Sequence, residues 1–409
     1  MLVGDEVSSL VFDLGTFNHR IGYSGEDSPK CVYQPVVGMN SDKYYFNEYG
    51  LRYNSSGIKV YQFMNIDGTI GNFDLFERTI NNLLKESMTL DLTDHPVLFS
   101  EPSVHNKENR VKLTEFMFEK YKIPAIYICK SAVLSGFSCG RSTCLVFDSG
   151  HNSTIAVPIN DGYALQKCVV KNHIAGDYLT QLLENELMKK NVNINPFYTF
   201  KRIKDSDKFK TEYIAEEKRN SYDTSYYNFW KRQIIRDLKE TNLVISDEPL
   251  IYNSEKDEFK FTKMIPQESS YDLPDGNVIN LVEERSTILE RIFNPIKDVE
   301  GFNGYHQMVN DSISKADLEI KKELYSNIFL CGGNTLFKGF AERFQKQITN
   351  SNKQIIKLKI ITHPSNTERK FSTWIGGSIL SSLGTFHQLW LSKAEFEENG
   401  ADIVERKCA

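Results

Sequence analysis

The chain has 409 residues, 40% of them hydrophobic and 25% charged, with a formal net charge of −5. This is the composition of a globular protein with room for two domains. It excludes a helical membrane span, because no apolar run nears the roughly 18 residues one needs. It also argues against DNA wrapping as the main activity, which calls for a clustered positive surface.

Residues 1–6 carry neither a basic start nor an apolar core, so no signal peptide is expected. The seven cysteines are scattered without Cys-x-x-Cys pairs and read as buried thiols of a reducing compartment. In chain order, Leu10-Val11-Phe12-Asp13-Leu14-Gly15-Thr16 is an apolar run that ends in Asp-x-Gly, and a second run follows at 20–23. Apolar run, glycine turn, apolar run is the pattern of a β-hairpin. Residues 40–59 are polar and tyrosine-rich with no helical period, which predicts a loop or short strands. A helix is predicted over 73–85, a strand over 96–101, and a helix over 106–121 from the spacing of Val111, Leu113, Phe116 and Met117. A strand over 123–129 and a helix over 131–139 follow, and Gly140-Arg141 marks a crossing into a second half.

That half opens as the first did: Leu145-Val146-Phe147-Asp148-Ser149-Gly150-His151, then a second run at 154–159. Asp161-Gly162 is a tight turn, and Ala175-Gly176-Asp177 precedes a helix. Residues 195–230 are polar, aromatic and irregular and read as surface insertions. A helix over 233–240, a weak strand pair over 245–263 and a turn at 273–276 come next. The buried strand over 326–331 ends in Gly332-Gly333, and the last helices cover 338–348, Trp374 to Leu380, and 393–398. Strands alternating with helices give an α/β fold.

Two matching hairpins suggest two similar half-domains whose turns grip something small and charged. Glycine at a turn lets backbone N–H groups approach phosphate oxygens. Asp13 and Asp148, at the strand ends, suit the hydrated magnesium that travels with ATP, which keeps most of its waters and takes one or two carboxylates. The third turn, Leu330-Cys331-Gly332-Gly333-Asn334-Thr335, opens a helix and suits an anionic or nucleotide ligand. His19, His173, His306 and His363 show no metal-ligand spacing, and Trp374 and Trp390 read as packing residues. Tyr222, Tyr226, Tyr227, Phe229 and Trp230 read as local packing, or as a partner surface if exposed.

These segments carry a resemblance. The chain resembles actin and the actin-related proteins over nearly its whole length. The run 13–25 with Asp27-Ser28-Pro29 and Gly38 resembles the first actin phosphate loop and its following strands. Gly140-Arg141-Ser142-Thr143 and Asp148-Ser149-Gly150 resemble the second. Arg236-Asp237-Leu238-Lys239-Glu240 is similar to the adenosine-contacting helix, and 368–380 to the last subdomain. The resemblance implies an actin-like ATPase fold, two RNase H-like domains around a central nucleotide cleft with four subdomains. Residues 1–141 with 340–409 would form the first domain and 142–339 the second. It also implies ATP or ADP with Mg²⁺. Gly15, Thr16, Phe17, Arg20, Ser149, Gly150 and His151 would contact phosphate. Gly176, Asp177, Lys239, Glu240, Gly332, Gly333, Asn334 and Lys370 would contact adenosine, and Asp13 and Asp148 the metal.

Lys130-Ser131-Ala132-Val133-Leu134, Gly332-Gly333-Asn334-Thr335-Leu336, the start at 4–9 and the end at 404–408 resemble the nuclear branch of the family, whose animal form is the actin-like subunit of BAF-type chromatin remodellers. That implies a nuclear, or also cytoplasmic, subunit of remodelling and histone acetyltransferase complexes in transcription and DNA repair. The implied partners are monomeric actin, a long helix of the remodelling ATPase or scaffold, and histones. A membrane and direct DNA binding are not implied. The alternative is a divergent, filament-forming cytoskeletal ATPase. A sugar kinase or chaperone ATPase is disfavoured by the C-terminal segments.

Departures from actin bear on the mechanism. Ser131 stands in place of a water-positioning glutamine, and His151-Asn152 in place of an Asp-Gly pair. Arg20 replaces a phosphate-contacting lysine, which keeps charge and changes geometry. Slow or absent hydrolysis is therefore expected, with no catalytic residue assigned. Charged residues at 296–300, in place of an apolar plug, and the absence of the actin loop motif at 41–59 argue against filaments.

Overall fold

Two hairpins seed two sheets of the same logic. In the computed structural model, which describes residues 8–52, 57–104, 106–205, 208–215, 221–253, 255, 258–262, 265–296, 301–352 and 357–408, Leu10–Leu14 pairs antiparallel with His19–Tyr23. Val97–Glu101 lies parallel to Leu10–Leu14, and Ala125–Lys130 parallel to Val97–Glu101. Leu391–Ser392 and Cys31–Tyr33 form the edges of this six-stranded sheet. In the second sheet Cys144–Ser149 pairs antiparallel with Thr154–Asn160, and Ile328–Cys331 runs parallel to Cys144–Ser149. Tyr163–Ala164, Val170–Asn172 and Ile360–Ile361 complete it.

Both sheets are covered on two faces, which is why their central strands read as unbroken apolar runs. Leu10 and Phe12 enter one core cluster while Val11 enters another. Leu145 and Phe147 likewise separate from Cys144 and Val146. The repeat seen in the sequence is thus a repeat of side-chain alternation about two sheets.

The helices Ser131–Ser138 and Asn366–Ser382 cross where the halves join. The crossing is so close that a Cβ on Gly376 would stand 1.6 Å from the Leu134 carbonyl oxygen. Only glycine lets these two backbones meet. Trp374, fully buried, anchors the second helix to the first sheet by donating its indole N–H to the Val11 carbonyl at 3.2 Å.

Most expected elements are present within a few residues. Residues 40–59 carry short strands as expected, Lys43–Phe46 and the start of Lys59–Gln62, and depart from expectation only in the short helix Asn47–Arg52 between them, with 53–56 outside the described residues. The described residues of the stretch 195–230 include the hairpin of Phe200–Asp205 and Lys208–Tyr213 and the first turns of a helix, Thr224–Asn242, where irregular structure was expected. That helix starts nine residues before the expected 233 because Asp223 caps it, accepting from the Ser225 N–H. Tyr226 and Trp230, four apart, then bury one face.

Phe340, Phe344 and Ile348 pack in the core of the second sheet, and Ile360–Ile361 pairs with it. Of the segment 296–300, Ile296 is buried and 297–300 lie outside the described residues, as does 4–7. Among the described residues no helix is long and apolar enough to cross a membrane.

Candidate functional site

Between the two sheets lies a cleft of about 680 Å³. The first hairpin brings Asp13, Gly15, Thr16, Phe17 and Arg20 to it, and the second brings Asp148, Gly150 and His151. Ile328–Cys331 delivers Gly332, Gly333 and Asn334 beside the second hairpin. Gly332 has φ +85°, and a Cβ there would sit 2.3 Å from Asp148 Oδ1, so this turn requires glycine.

Asp13 is held on both oxygens. Arg20 Nη1 donates to Oδ2 at 2.5 Å and Ser100 Oγ donates to Oδ1 at 2.7 Å. Burial, reinforced by the Asp13 carboxylate, pushes the Asp148 carboxyl up to about 6. A buried carboxyl whose charge is disfavoured by a neighbouring carboxylate suits a divalent cation beside it, and Asp13 already pairs with Arg20.

The second turn is fixed by its neighbours. The Gly176 and Asp177 N–H groups donate to the Gly150 and His151 carbonyls at 3.0 and 2.7 Å. Asn334 Nδ2 donates to Ser149 Oγ and to the Gly150 carbonyl. Lys239, pushed down to about 8 by burial, donates to the Gly176 carbonyl at 2.8 Å and to Thr180 Oγ1. Burial and Arg236 push the His151 ring down to about 3, so it is neutral. Lys370 Nζ and Glu240 Oε2, both on the cleft wall, approach to 3.8 Å.

The donor set fits a polyanion. Arg20 Nε, Arg236 Nε and Arg369 Nε are buried without an acceptor, and all three residues line the cleft. Closed off by protein, these Nε atoms do not reach the cleft; what the three side chains offer a polyanion there is their positive charge. Asp13 and Asp148 would hold a hydrated Mg²⁺, and the glycine turns leave room for a phosphate chain. Among the described residues no cluster of three His, Cys, Asp or Glu side chains could hold a metal by itself. The metal would therefore arrive with its nucleotide.

Ser131 Oγ lies 3.2 Å from Ser103 Oγ, which also accepts from the Ala132 N–H. The Ser131 hydroxyl is thus engaged with a neighbour on the cleft wall.

Two expected contacts lie elsewhere. Ser149 is fully buried, its hydroxyl bonded to Thr154 and Tyr305 beneath the turn. Asp177 does not line the cleft; its carboxylate pairs with Arg232 at 3.2 Å and accepts from Gln181. Sequence reasoning did not assign Arg236, Arg369, Leu336 and Phe337, which also line the cleft. Leu336 and Phe337 directly follow the third glycine turn, and an apolar pair after such a turn was the available signal for a base-stacking wall. Arg236 and Arg369 lie in the segments 236–240 and 368–380 already likened to the family, and that likeness was the available signal for both.

The actin family model matches residues 4–409. The chain is 34% identical to actin-related protein 4 of Arabidopsis thaliana over the whole of both chains. It is 35% identical to actin-related protein 4 of Oryza sativa subsp. japonica, again over the whole of both. To actin-related protein 4 of Schizosaccharomyces pombe it is 32% identical, over 99% of this chain and 98% of the relative.

Proposed function

The chain belongs to the actin family, and from that premise we propose that it is a nuclear structural subunit of chromatin-remodelling and histone acetyltransferase complexes, holding ATP as a structural ligand with little or no hydrolysis. One observation carries this reading. The cleft sets two facing carboxylates, Asp13 and Asp148, beside three arginines on its wall, a charge arrangement that supports a magnesium–nucleotide ligand. The position expected to orient an attacking water is instead Ser131, bonded to Ser103. A short hydroxyl turned to a neighbour is a weak water-positioning group.

Bound Mg²⁺–ATP would place its phosphate charge beside Arg20, Arg236 and Arg369 on the cleft wall. Gly15, Thr16 and Gly150 would give backbone N–H groups to phosphate. Glu240, Lys370, Leu336 and Phe337 would wall the nucleoside. The partner reading, monomeric actin and a helix of a motor or scaffold subunit, is supported by full-length likeness to proteins named actin-related protein 4.

The test is to purify a tagged copy from its own cells and identify what accompanies it by mass spectrometry. Actin together with a remodelling ATPase or an acetyltransferase scaffold is the expected result. Recovery of cytoskeletal actin-binding proteins alone would overturn the nuclear reading in favour of a filament-forming relative.

A further inference from the structure

Two cysteines flank the turn by which the chain leaves the helix Ser131–Ser138 for the strand Cys144–Ser149. The helix ends in a tight reversal. The Arg141 N–H donates to the Gly136 carbonyl at 3.1 Å, and the Gly140 N–H to the Phe137 carbonyl at 3.0 Å, with Gly140 at φ +66°. The reversal brings Cys139, at the helix end, back toward Cys144, at the strand start. The Cys139 thiol donates to the Gly136 carbonyl at 3.2 Å, and a Cβ on Gly136 would stand 3.6 Å from Cys144 Sγ. Both sulfurs therefore lie against the same glycine, and the two thiols are hydrogen-bonded to each other.

The two thiols are unequal. Cys139 is half-buried, whereas Cys144 is fully buried. The Cys144 S–H, with help from the Arg141 N–H and guanidinium, holds the Cys139 thiol below its ordinary value against the effect of burial. The same contact, and then burial, raise the Cys144 thiol. Cys139 thus reaches its thiolate first, and the thiolate is the reactive form of a cysteine. The remaining cysteines lack this setting. Cys31 is half-buried and pushed up by burial, while Cys129, Cys168, Cys331 and Cys408 are buried. Cys331 shares an apolar cluster with Cys144, but its thiol is directed to the Phe147 carbonyl at 3.8 Å.

From this arrangement we propose that Cys139 and Cys144 form a reversible dithiol modification site whose oxidant is hydrogen peroxide. The site stands apart from the nucleotide reading above. The Cys139 thiolate attacks one peroxide oxygen. An S–O bond forms and the O–O bond breaks, which leaves a sulfenic acid on Cys139. The departing hydroxide takes up the proton that Cys139 gave up and leaves as water. Cys144 Sγ then attacks Cys139 Sγ. The S–S bond forms, the S–O bond breaks, and the second hydroxide leaves as water with the Cys144 proton. Two electrons pass from the pair of sulfurs to the peroxide. An external dithiol reverses the change by exchange, regaining two thiols here and becoming a disulfide itself.

The experiment exposes the folded full chain to graded hydrogen peroxide and stops the reaction with catalase. The chain is then unfolded in iodoacetamide without reductant and digested for mass spectrometry. Cys139 and Cys144 should lose alkylation together, in a peptide lighter by two hydrogens, while Cys31 stays alkylated. Dithiothreitol added before iodoacetamide should restore both. Cys144→Ala should leave Cys139 as a sulfenic acid that dimedone traps, with no disulfide formed. Cys139→Ser should leave Cys144 alkylated at the same dose. Should Cys144→Ala fail to fold, the unmodified chain still decides through the order in which its cysteines react. Oxidation of Cys31 before Cys139 would overturn the site, as would a bond from Cys139 to Cys331. Sulfenic acid on Cys139 of the unmodified chain that never proceeds to the disulfide would overturn it too.

Discussion

At the residue scale, His19 combines complete burial with a titratable ring. It contacts the Tyr33 hydroxyl at 3.2 Å through Nδ1 and sits edge-on to Phe63. Burial, and then the Arg20 charge, lower it from 6.5 to about 3. A base whose folded pKa is depressed leaves the unfolded chain binding more protons between these two values. Stability is therefore lost as pH falls from about 6.5 toward 3, by about 1.4 kcal/mol per pH unit. His19→Gln keeps a polar partner for Tyr33 and cannot titrate. Urea unfolding at pH 7 and pH 5 should show a smaller acid loss in His19→Gln than in the unmodified chain, and equal losses would contradict the assignment. Gly332 makes a second residue-scale prediction. Gly332→Ala forces a Cβ toward Asp148 at φ +85°, which should cost about 1–3 kcal/mol and weaken ATP binding. A variant of unchanged urea midpoint and affinity would show that the turn is looser than drawn.

At the element scale, the helices Glu284–Glu290 and Phe340–Ser351 are joined by the ion pair of Glu290 and Arg343, 2.7 Å apart and each 1% exposed. Arg343 also donates to the Ser246 and Glu248 carbonyls. Removing one partner strands a buried charge, so Arg343→Met should cost about 3–5 kcal/mol in urea unfolding. Arg343→Met with Glu290→Leu should recover part of that loss, because the stranded carboxylate goes too. A double variant no more stable than the single one would place the cost in the lost carbonyl contacts. The helix Thr224–Asn242 teaches the converse lesson. Its first turns read as irregular because Tyr226 and Trp230 lie among polar residues, yet they are four apart, the spacing of one helical face. The apolar partner of that face is Val36, Leu51 and Ile58, far away in sequence.

At the scale of the whole molecule, a ligand bound only by the folded state stabilises it by RT ln(1 + [L]/Kd), about 4 kcal/mol at a thousandfold excess over Kd. ATP with magnesium should therefore raise the melting temperature of the full chain while phosphate release stays near background. Turnover like that of filament actin would refute a structural role for the nucleotide. Sedimentation with salt and ATP should leave the chain in the supernatant, and abundant helical filaments would favour the cytoskeletal alternative.

The sequence by itself determined the two hairpins, their Asp-x-Gly turns and the duplicated sheet cores. Each of these depends on neighbours in the chain: side chains alternate every residue, and turns need glycine where φ or space demands it. Leu10-Val11-Phe12 and Leu145-Val146-Phe147 therefore look alike before any fold is known. Only the tertiary structure decided that Arg236 and Arg369 line the cleft, that Ser149 and Asp177 turn away from it, and that Tyr226 and Trp230 pack on Val36, Leu51 and Ile58. Those outcomes depend on partners separated by up to hundreds of residues. The burial and charge that select them exist only once the two sheets have come together.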